Sequence, residues 1–529
     1  MMTLYKSIQR YEDSGVTALY FENKRISYKS LLVSIRRVAA YLKEKGIKKG
    51  DVVTVALPNL PTTVYLFYAL DALGAVQNIV HPLSSTEQVL GSMTRTGSRH
   101  AILLETVWQD GKKLFEDSAH TFFFVNPMYD SSLFMRYAFY LKYKRAAESE
   151  RIYHLDSYRK FRQLTEIEDR DPEETSVYLH SGGTTGEPKI IELSDRAIEN
   201  LSKKVSSIVG TELRGKAMLA VLPTFHGFGL GMGIHAPLSH CAASSLMIRF
   251  NADMIIKWIN QGKINMIIGV PLLYRKLMDH PDFSSSRLQK LEQCFVGGDN
   301  VPPSLIEEFN SLMKAHGSDC MMLEGYGLTE TVTVCNVNTK SHNKIGSVGR
   351  ALDNITVEIR DEEQNLLDTG MIGEVYISGD TLMNGYLSDP QASADVLCSF
   401  NSKLWVRTGD LGYLDSEGYL FLKGRKKRMF KISGINIYPS EIEKIATDTV
   451  DIADAALEFF EEPKPHTVLF IKRRRGSEAC DEDIRARLYA AFEGRVLKYS
   501  IPTQIIFMDK FPQTRVGKID HSKFEEKQS

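Results

Sequence analysis

Little in this sequence points to secretion, to insertion in a membrane or to general binding of nucleic acids. Its 529 residues include six cysteines, scattered without the spacing of a metal site or a disulfide framework, so we expect buried thiols in a reducing compartment. No apolar run approaches the roughly 18 residues that cross a bilayer, and residues 1–15 lack a signal-peptide pattern. The 65 basic and 66 acidic side chains leave a net charge of -1, which excludes the broad positive field that nucleic acids require. We therefore expect a cytoplasmic protein with a small-molecule substrate.

The organisation of the chain indicates at least two domains, since one hydrophobic core does not grow to this length. Between residues 28 and 125, helical apolar spacing alternates with short β-rich runs, which is typical of strands connected by helices. The later runs AMLAVLP, INMIIGVP and QCFVGG each end in glycine or proline and extend that pattern, and from about residue 345 short strands and turns predominate. We predict an α/β domain over residues 1–426 and a separate α+β unit over residues 427–529, divided at the charged stretch GRKKRMFKISG.

A loop rich in glycine and hydroxyl groups follows the strand-like run SVYLH. Glycine lets backbone N–H groups approach phosphate oxygens, threonine hydroxyls donate hydrogen bonds, and lysine adds a positive charge. The order of a GxxxxGK[ST] P-loop is absent, and such a turn taken alone is often only a flexible loop. The predicted polyphosphate contacts are Ser181, Gly182, Gly183, Thr184, Thr185, Gly186 and Lys189.

The stretch SGGTTGEPK closely resembles the signature of the adenylate-forming superfamily, which includes acyl-CoA synthetases, luciferases and adenylation domains. Further motifs of that family recur in its order: LPTFHG at 222–227, GYGLTE at 325–330, TGD at 408–410, GR at 424–425 and GK at 517–518. The resemblance covers essentially the whole chain. It implies a large N-terminal domain with two αβ-layered sheets and a β-barrel subdomain, and a small mobile α+β C-terminal domain. The chain departs from the family at Ile190, where glycine is usual, and at Arg428, where an acidic or small residue is usual.

The resemblance implies nucleotide-binding roles for residues of several motifs. Glu330 is the expected Mg2+ ligand, and Thr329 beside it donates to phosphate. Tyr326 is expected to stack on adenine, while Asp410 accepts the ribose hydroxyls and Arg425 completes that grip. The implied ATP or AMP contacts outside the loop are Gly297, Gly298, Asp299, Tyr326, Gly327, Thr329, Asp410 and Arg425.

Four residues near or beyond the predicted domain boundary take roles in a two-step reaction, again by resemblance. Lys518 is expected to enter the site and bridge the carboxylate and the α-phosphate, although a lysine this close to the chain end would ordinarily be a surface charge. Lys431 is expected to face the same site in the other domain orientation. Lys427 is the expected hinge, and Gly434 is expected to line the pantetheine channel.

The acid substrate is indicated by the segment around His226, where synthetases for fatty and aryl acids carry an aromatic–histidine pair near the carboxylate. Amino-acid-activating members have an aspartate near this point, whereas this chain reads FHGFG. An acid without an α-amino group is therefore expected, with a fatty acid as first choice and an aryl acid as second. The HGFGL sequence also resembles the luciferase version. We place the acyl pocket near IHAPLSHCAASSLM, whose small residues leave room for a chain but also serve helix packing.

The expected activity is an AMP-forming acyl-CoA synthetase that uses ATP, Mg2+ and coenzyme A. One alternative is an acyl-AMP ligase that loads an acyl carrier protein, for which Arg473, Arg474 and Arg475 are compatible with an acidic partner or are a solvated charge run. Another is a non-catalytic nucleotide-binding protein on the same fold. The joint presence of Glu330, Lys431 and Lys518 argues against the latter.

A further segment, LFMRYAFYLKYKR at residues 133–145, mixes aromatic and basic residues as interfacial helices do. It indicates a possible peripheral contact with a membrane. A helix packed on its own domain is the alternative.

Overall fold

The computed structural model describes residues 3–131, 133–143, 145–181, 188–432, 435–449, 451–461, 466–474, 476–513 and 519–525. The helices are α1 (Leu4–Gln9), α2 (Tyr28–Glu44), α3 (Pro61–Ala72), α4 (Thr86–Thr96), α5 (Trp108–Asp117), α6 (Leu133–Lys142), α7 (Asp195–Val209), α8 (Ala236–Ser239), α9 (Ala252–Asn260), α10 (Pro271–Met278), α11 (Pro303–Ala315), α12 (Pro390–Val396), α13 (Pro439–Thr447) and α14 (Asp481–Phe492). A π-helix spans Phe228–His235.

The strands are β1 (Thr17–Phe21), β2 (Lys24–Ser27), β3 (Val52–Ala56), β4 (Val76–Ile79), β5 (His100–Leu104), β6 (Thr121–Val125), β7 (Ile152–His154), β8 (Thr175–His180), β9 (Ile190–Ser194), β10 (Ala217–Ala220), β11 (Ala243–Leu246), β12 (Met266–Gly269), β13 (Gln293–Val296), β14 (Met321–Gly327), β15 (Val334–Val337), β16 (Arg350–Ala351), β17 (Ile355–Arg360), β18 (Gly373–Gly379), β19 (Gly385–Tyr386), β20 (Leu397–Phe400), β21 (Lys403–Leu414), β22 (Leu420–Arg425), β23 (Phe430–Ile432), β24 (Ile435–Ile437), β25 (Ile452–Phe460), β26 (His466–Arg473) and β27 (Gln504–Phe507).

One sheet has eight strands in the order β19-β9-β8-β4-β3-β5-β6-β7. The pairs from β8 to β7 are parallel, and β9 and β19 add antiparallel strands at one edge. The predicted alternation of strands and helices before residue 125 is confirmed, because helices α3 and α4 connect the parallel strands β3, β4 and β5.

The second sheet has nine strands in the order β16-β15-β14-β13-β12-β10-β11-β1-β2. The three runs that end in glycine or proline are its strands β10, β12 and β13, as the sequence predicts. Both faces of this sheet are buried, since Leu219 packs with Trp258 on one side while Met218 and Leu66 belong to the main core on the other. Burial on both faces explains why these strands are continuously apolar.

The main core joins the two sheets through helices α2, α3 and α7. It includes Val53 of the eight-stranded sheet, Met218 of the nine-stranded sheet and Leu66 of α3. Every residue of α3 is buried, which suits a helix that is apolar all round, and Pro61 occupies its first turn, where a missing N–H costs nothing. The predicted pair of layered sheets is thus confirmed.

The β-rich region after residue 345 is a five-stranded antiparallel sheet in the order β17-β18-β21-β20, with β22 paired to β21. Strand β21 has 12 residues and a register shift between Leu411 and Gly412. It pairs with β22 so that Asp410 lies opposite Arg425. This pairing places the TGD and GR motifs side by side.

The C-terminal region has cores of its own. Ile442 of α13, Leu469 of β26 and Leu488 of α14 share one cluster, with β25, β26 and β27 forming a three-stranded sheet. The side chains of Phe430 and Phe459 stack with ring centroids 4.7 Å apart. A hydrophobic core of its own is typical of a separate domain, although the boundary at residue 427 remains a prediction.

Among the described residues, every helix is too short or too polar to cross a bilayer.

Candidate functional site

Several of the predicted nucleotide residues lie at the carboxyl ends of parallel strands in the two large sheets. Strand β8 ends at His180 directly before the phosphate loop, β13 ends at Val296 directly before Gly297, and β14 carries Tyr326 near its end. Ligands of open α/β sheets bind outside this edge, because loops there converge while strand ends leave backbone groups free.

The base of the predicted phosphate loop is closed by two hydrogen bonds. The Ser181 N–H donates to the Lys189 carbonyl at 2.9 Å, and the Lys189 N–H donates to Ser181 Oγ at 2.9 Å. Ile190 pairs with His180 in the β8–β9 ladder and is buried, so the departure from the family glycine is a strand residue with its side chain in the core. The loop contacts that lie outside the described residues are Gly182, Gly183, Thr184, Thr185 and Gly186.

Asp410 is the centre of a hydrogen-bonded cluster that links two predicted motifs. Its Oδ2 accepts from the Tyr326 hydroxyl at 2.5 Å, and its Oδ1 lies 2.9 Å from Arg425 Nε. The Asp410 N–H donates to Thr408 Oγ1 at 3.0 Å, and the Thr408 hydroxyl donates to the Val375 carbonyl at 2.8 Å. The carboxylate is therefore fixed from the backbone side and from two side chains.

The electrostatics of this cluster keep both partners of Asp410 in the donor form. Burial, and then the Asp410 carboxylate, hold the pKa of Tyr326 well above its ordinary value. Partial loss of hydration acts to lower the pKa of Arg425, but the neighbouring groups, Asp410 foremost, outweigh it and raise that pKa. A fixed carboxylate beside an exposed guanidinium is an arrangement that can bind the hydroxyl groups of a ligand.

Glu330, the predicted metal ligand, is held by a tyrosine that sequence reasoning missed. The Tyr386 hydroxyl donates to Glu330 Oε1 at 2.8 Å, and Lys189 Nζ lies 4.6 Å from the centroid of the Tyr386 ring. Burial and then the Glu330 carboxylate raise the pKa of Tyr386, so its hydroxyl stays protonated. Tyr386 pairs with Ile191 directly after the loop, and it thereby connects the base of the phosphate loop to the predicted metal ligand.

No local signal marked Tyr386, because it follows Glu330 by 56 residues and reaches it through the pairing of β19 with β9. A search for tyrosines beside glycine in the β-rich region would have returned it among others. Its partner could be identified only from the fold.

Several glycines of the site are required by close backbone approach. A Cβ on Gly297 would lie 2.5 Å from the Gly325 carbonyl oxygen, and one on Gly327 would lie 1.5 Å from the Thr333 carbonyl oxygen. Gly298 has φ +80°, a conformation that side chains disfavour, and Asp299 beyond it is exposed. The predicted purine-side turn is thus a place where the backbone itself forms the surface.

A strained turn joins the segment of His226 to that of Glu330. Val332 has φ 65° and ψ -57°, and the Thr333 N–H donates to the Thr331 carbonyl at 2.8 Å across it. Such a γ-turn is costly for a β-branched residue, by about 1–3 kcal/mol. The Val332 carbonyl oxygen occupies the place where a Cβ on Gly227 would lie, 1.7 Å away. The turn therefore packs directly against the backbone next to His226.

His226 belongs to a small aromatic group at the same end of the molecule. Its ring centroid lies 4.5 Å from that of Phe225, which lies 4.6 Å from that of His81. Burial lowers the pKa of His81. Within the described part of the chain, the buried hydroxyl of Thr224 has no hydrogen-bond partner, so this corner offers one unused polar group.

The predicted acyl-pocket segment is α8 and β11 with their flanks. Ile234, Leu238 and Ala242 are fully or almost fully buried in the main core. The small residues of this segment could leave room for an acyl chain or allow close packing, and the structure supports close packing. The location of the acyl pocket stays a prediction.

The predicted hinge residue lies between two anchored neighbours. Lys426 Nζ lies 3.2 Å from Glu374 Oε2 in the five-stranded sheet. Arg428 donates to both carboxylate oxygens of Glu443 in α13, at 3.2 and 2.7 Å. Lys427 is exposed between them. Arg428, which departs from the family pattern, thus has a partner in the C-terminal region.

Of the remaining predicted residues, Lys431 is exposed on β23 opposite Asn436. Lys518 and Gly434 lie outside the described residues. The described ranges contain no group of three or more histidine, cysteine or acidic side chains that could hold a metal ion. A single carboxylate such as Glu330 nevertheless fits Mg2+, which binds through one or two carboxylates together with phosphate oxygens.

Comparison with known proteins agrees with this geometry. The family described as "AMP-binding enzyme" matches residues 6–387. A long-chain-fatty-acid–CoA ligase of Bacillus subtilis is 27% identical over 98% of this chain and 92% of its own length. An indoleacetate–CoA ligase of Aromatoleum aromaticum is 28% identical over 98% of this chain and 96% of its own length. The crystal structure of an anthranilate CoA ligase with anthranoyl-AMP has the same fold, with a TM-score of 0.84, 19% identity, and coverage of 98% of this chain and 95% of that one.

Proposed function

Because the chain belongs to the family of AMP-binding enzymes, we propose that it is an ATP-dependent ligase that joins a carboxylic acid to coenzyme A through an acyl-AMP. The observation that carries this proposal is the cluster of Asp410, Tyr326 and Arg425. It holds a fixed carboxylate beside a largely exposed cation, which suits the hydroxyls of a ribose and the adjoining phosphate.

In the first half-reaction, a carboxylate oxygen of the acid attacks the α-phosphorus of ATP, and the bond to pyrophosphate breaks. Asp410 holds the ribose, and Lys189 at the loop base lies where it adds positive charge near the phosphates. Glu330 would hold Mg2+ together with phosphate oxygens, and the ion would supply charge neutralisation on the polyphosphate. We assign Lys518 to the contact between the carboxylate and the α-phosphate, where two anions must approach each other.

In the second half-reaction, the thiol sulfur of coenzyme A attacks the acyl carbon, and AMP leaves. Lys431 and Gly434 are assigned to this step, which requires a second orientation of the C-terminal region. The ion pairs made by the two neighbours of Lys427 support this assignment. Lys426 is bound to Glu374 on one side and Arg428 to Glu443 on the other, so a rotation about residue 427 leaves both ion pairs intact.

A fatty acid is the proposed substrate, with an aryl acid as the second candidate. The segment from Leu222 to His235 contains no acidic residue that could pair with an α-ammonium group. Relatives that act on a long-chain fatty acid and on indoleacetate are about equally similar to this chain, at 27% and 28% identity, so identity does not decide between an alkyl and an aryl acid.

The proposal is tested by pyrophosphate release from ATP over a panel of alkyl, aryl and amino acids, with and without coenzyme A. We expect acid-dependent release, and AMP and thioester formation that require coenzyme A. Bound ATP without pyrophosphate release for any acid would instead identify a non-catalytic nucleotide-binding protein. Transfer only to an acyl carrier protein would identify the carrier-loading alternative.

The two lysines test the proposed division of labour. Lys518→Ala should lower pyrophosphate release by about 10² to 10³-fold while still converting supplied acyl-AMP and coenzyme A to thioester. Lys431→Ala should show the opposite bias, and Lys427→Pro should impair thioester formation more than adenylation. Equal loss of both half-reactions in Lys518→Ala, with the fold intact, would contradict domain rotation.

A further inference from the structure

Helix α6 exposes an unusual amount of apolar surface for a helix of 10 residues. The exposed fractions are 76% for Phe134, 45% for Met135, 66% for Tyr137 and 73% for Leu141. Single exposed apolar residues are ordinary on protein surfaces, but a contiguous group of this kind usually marks an interaction site.

The exposed residues lie on one face of the helix. Phe134, Tyr137 and Leu141 are spaced by three and four residues, which aligns them along the helix axis. The opposite face is already packed, since Phe139 is buried against Tyr143 with ring centroids 4.9 Å apart. Arg136 also turns inward, 4.3 Å from the centroid of the Tyr129 ring. The domain therefore packs against another face of α6, and the outer face stays exposed.

The charged side chains of α6 and of the three residues after it are all basic. Residues 131–147 include four basic side chains and no acidic one, in a chain with a net charge of -1. Lys142 and Arg145 are exposed. Of the neighbouring acids, Asp130 pairs with Arg159 at 3.1 Å and Glu105 is buried beside His154, while the exposed Glu148 and Glu150 lie beyond this stretch. The surface thus presents apolar and basic groups together.

We propose that the outer face of α6, formed by Phe134, Tyr137 and Leu141 with Lys142 and Arg145 at its end, binds the surface of an anionic lipid bilayer. Apolar side chains enter the acyl boundary while long basic side chains reach the headgroup phosphates. A second copy of the chain is a poorer partner, because it presents basic side chains of the same sign rather than anionic groups. The inference does not depend on the proposed catalytic function.

The test is flotation of the full chain with phosphatidylcholine vesicles, with and without phosphatidylglycerol. We expect co-migration with the anionic vesicles and its loss in high salt, since the electrostatic part is screened. The triple variant Phe134→Ser, Tyr137→Ser, Leu141→Ser should lose binding, and so should Lys142→Glu with Arg145→Glu. A matched control, Leu366→Ser with Met371→Ser, replaces two exposed apolar residues elsewhere and should float like the wild type.

Failure of the wild type to float, or unchanged flotation of the triple variant, overturns the proposal. Sedimentation distinguishes the other occupant: a wild-type dimer that the triple variant converts to a monomer, without flotation, would show self-association instead. All substituted side chains are exposed, so thermal unfolding should stay unchanged. Pyrophosphate release with a water-soluble acid reports the proposed activity separately.

Discussion

Two clusters of this protein both pair an arginine with aspartate, but one is buried and the other is partly exposed. Arg170 lies between Asp71 and Asp195, at 2.6 and 2.5 Å, with all three side chains no more than 2% exposed. Asp71 also accepts from the Tyr5 N–H at 2.7 Å. The cluster ties α1, α3 and α7 together, and its burial closes it to any ligand.

The cluster of Arg425, Asp410 and Tyr326 is closed on one side only. Asp410 is buried, but the Arg425 side chain is 57% exposed. An arginine and an aspartate in contact are therefore not diagnostic by themselves. What separates a structural ion pair from a binding site is whether solvent, or a ligand, can reach the charged groups.

The largest expected effect is on the closed cluster. Arg170→Met should lower the free energy of unfolding by about 3–5 kcal/mol, because it leaves two buried carboxylates without their cation. Denaturant unfolding measures this. Lys112→Met, which removes an exposed partner of Glu116, is the matched control and should change stability by about 0.5 kcal/mol or less. Similar small effects of both changes would mean that the buried cluster is not structural.

The open cluster should show the reverse pattern. Asp410→Asn should reduce kcat/KM for pyrophosphate release by about 10² to 10³-fold, because it weakens the acceptor that we propose binds the ribose, while thermal stability changes little. Asp368→Asn, an exposed carboxylate of the same region, should leave kcat/KM unchanged. A large loss of stability in Asp410→Asn, with normal turnover of the folded fraction, would place Asp410 with the structural cluster.

Glu324 is an intermediate case, a buried carboxyl on β14 beside the site. Burial raises its pKa to about 7, although Lys444 of α13 acts to lower it. Between the unfolded value of 4.5 and the folded value, the folded state keeps a proton that the unfolded state releases, so stability falls as pH rises through this window.

Glu324→Gln should therefore gain stability over the wild type as pH rises from about 5 to about 8, by up to about 3 kcal/mol. Unfolding in denaturant at several pH values measures it, with the exposed Glu363→Gln as control. If the free energy of unfolding depended on pH in the same way for Glu324→Gln and the wild type, Glu324 would have the same pKa in the folded and unfolded states.

The smallest expected effect concerns Tyr386, which positions Glu330. Tyr386→Phe removes a hydrogen bond to a charged group, worth about 1.5–3 kcal/mol. The Mg2+ concentration for half-maximal pyrophosphate release should rise about tenfold or more. Glu330→Ala sets the upper limit of the effect. Tyr376→Phe is a matched control, because the buried Tyr376 hydroxyl has no hydrogen-bond partner among the described residues. Equal Mg2+ dependence of both phenylalanine variants would contradict the positioning role.

Much of the architecture could be predicted from local patterns. Strands β10, β12 and β13 follow from apolar runs that end in glycine or proline, because a strand buried on both faces needs continuous apolar residues and its end needs a turn. The identities of Asp410, Tyr326 and Arg425 followed from the order of motifs. Their assembly around one carboxylate agrees with that expectation, whereas the ligand contacts themselves stay predictions.

What the sequence by itself determined, then, is which elements form and which residue types the site contains, since both depend on side chains a few positions apart. Only the tertiary structure decided that Tyr386 reaches Glu330 and that Arg428 binds Glu443. It also decided that the Arg170 side chain is buried while that of Arg425 is exposed. These outcomes depend on the register of distant strands and on how much solvent each pair retains. Neither quantity is encoded in any short stretch of the chain, because each is a property of surfaces that meet only after folding.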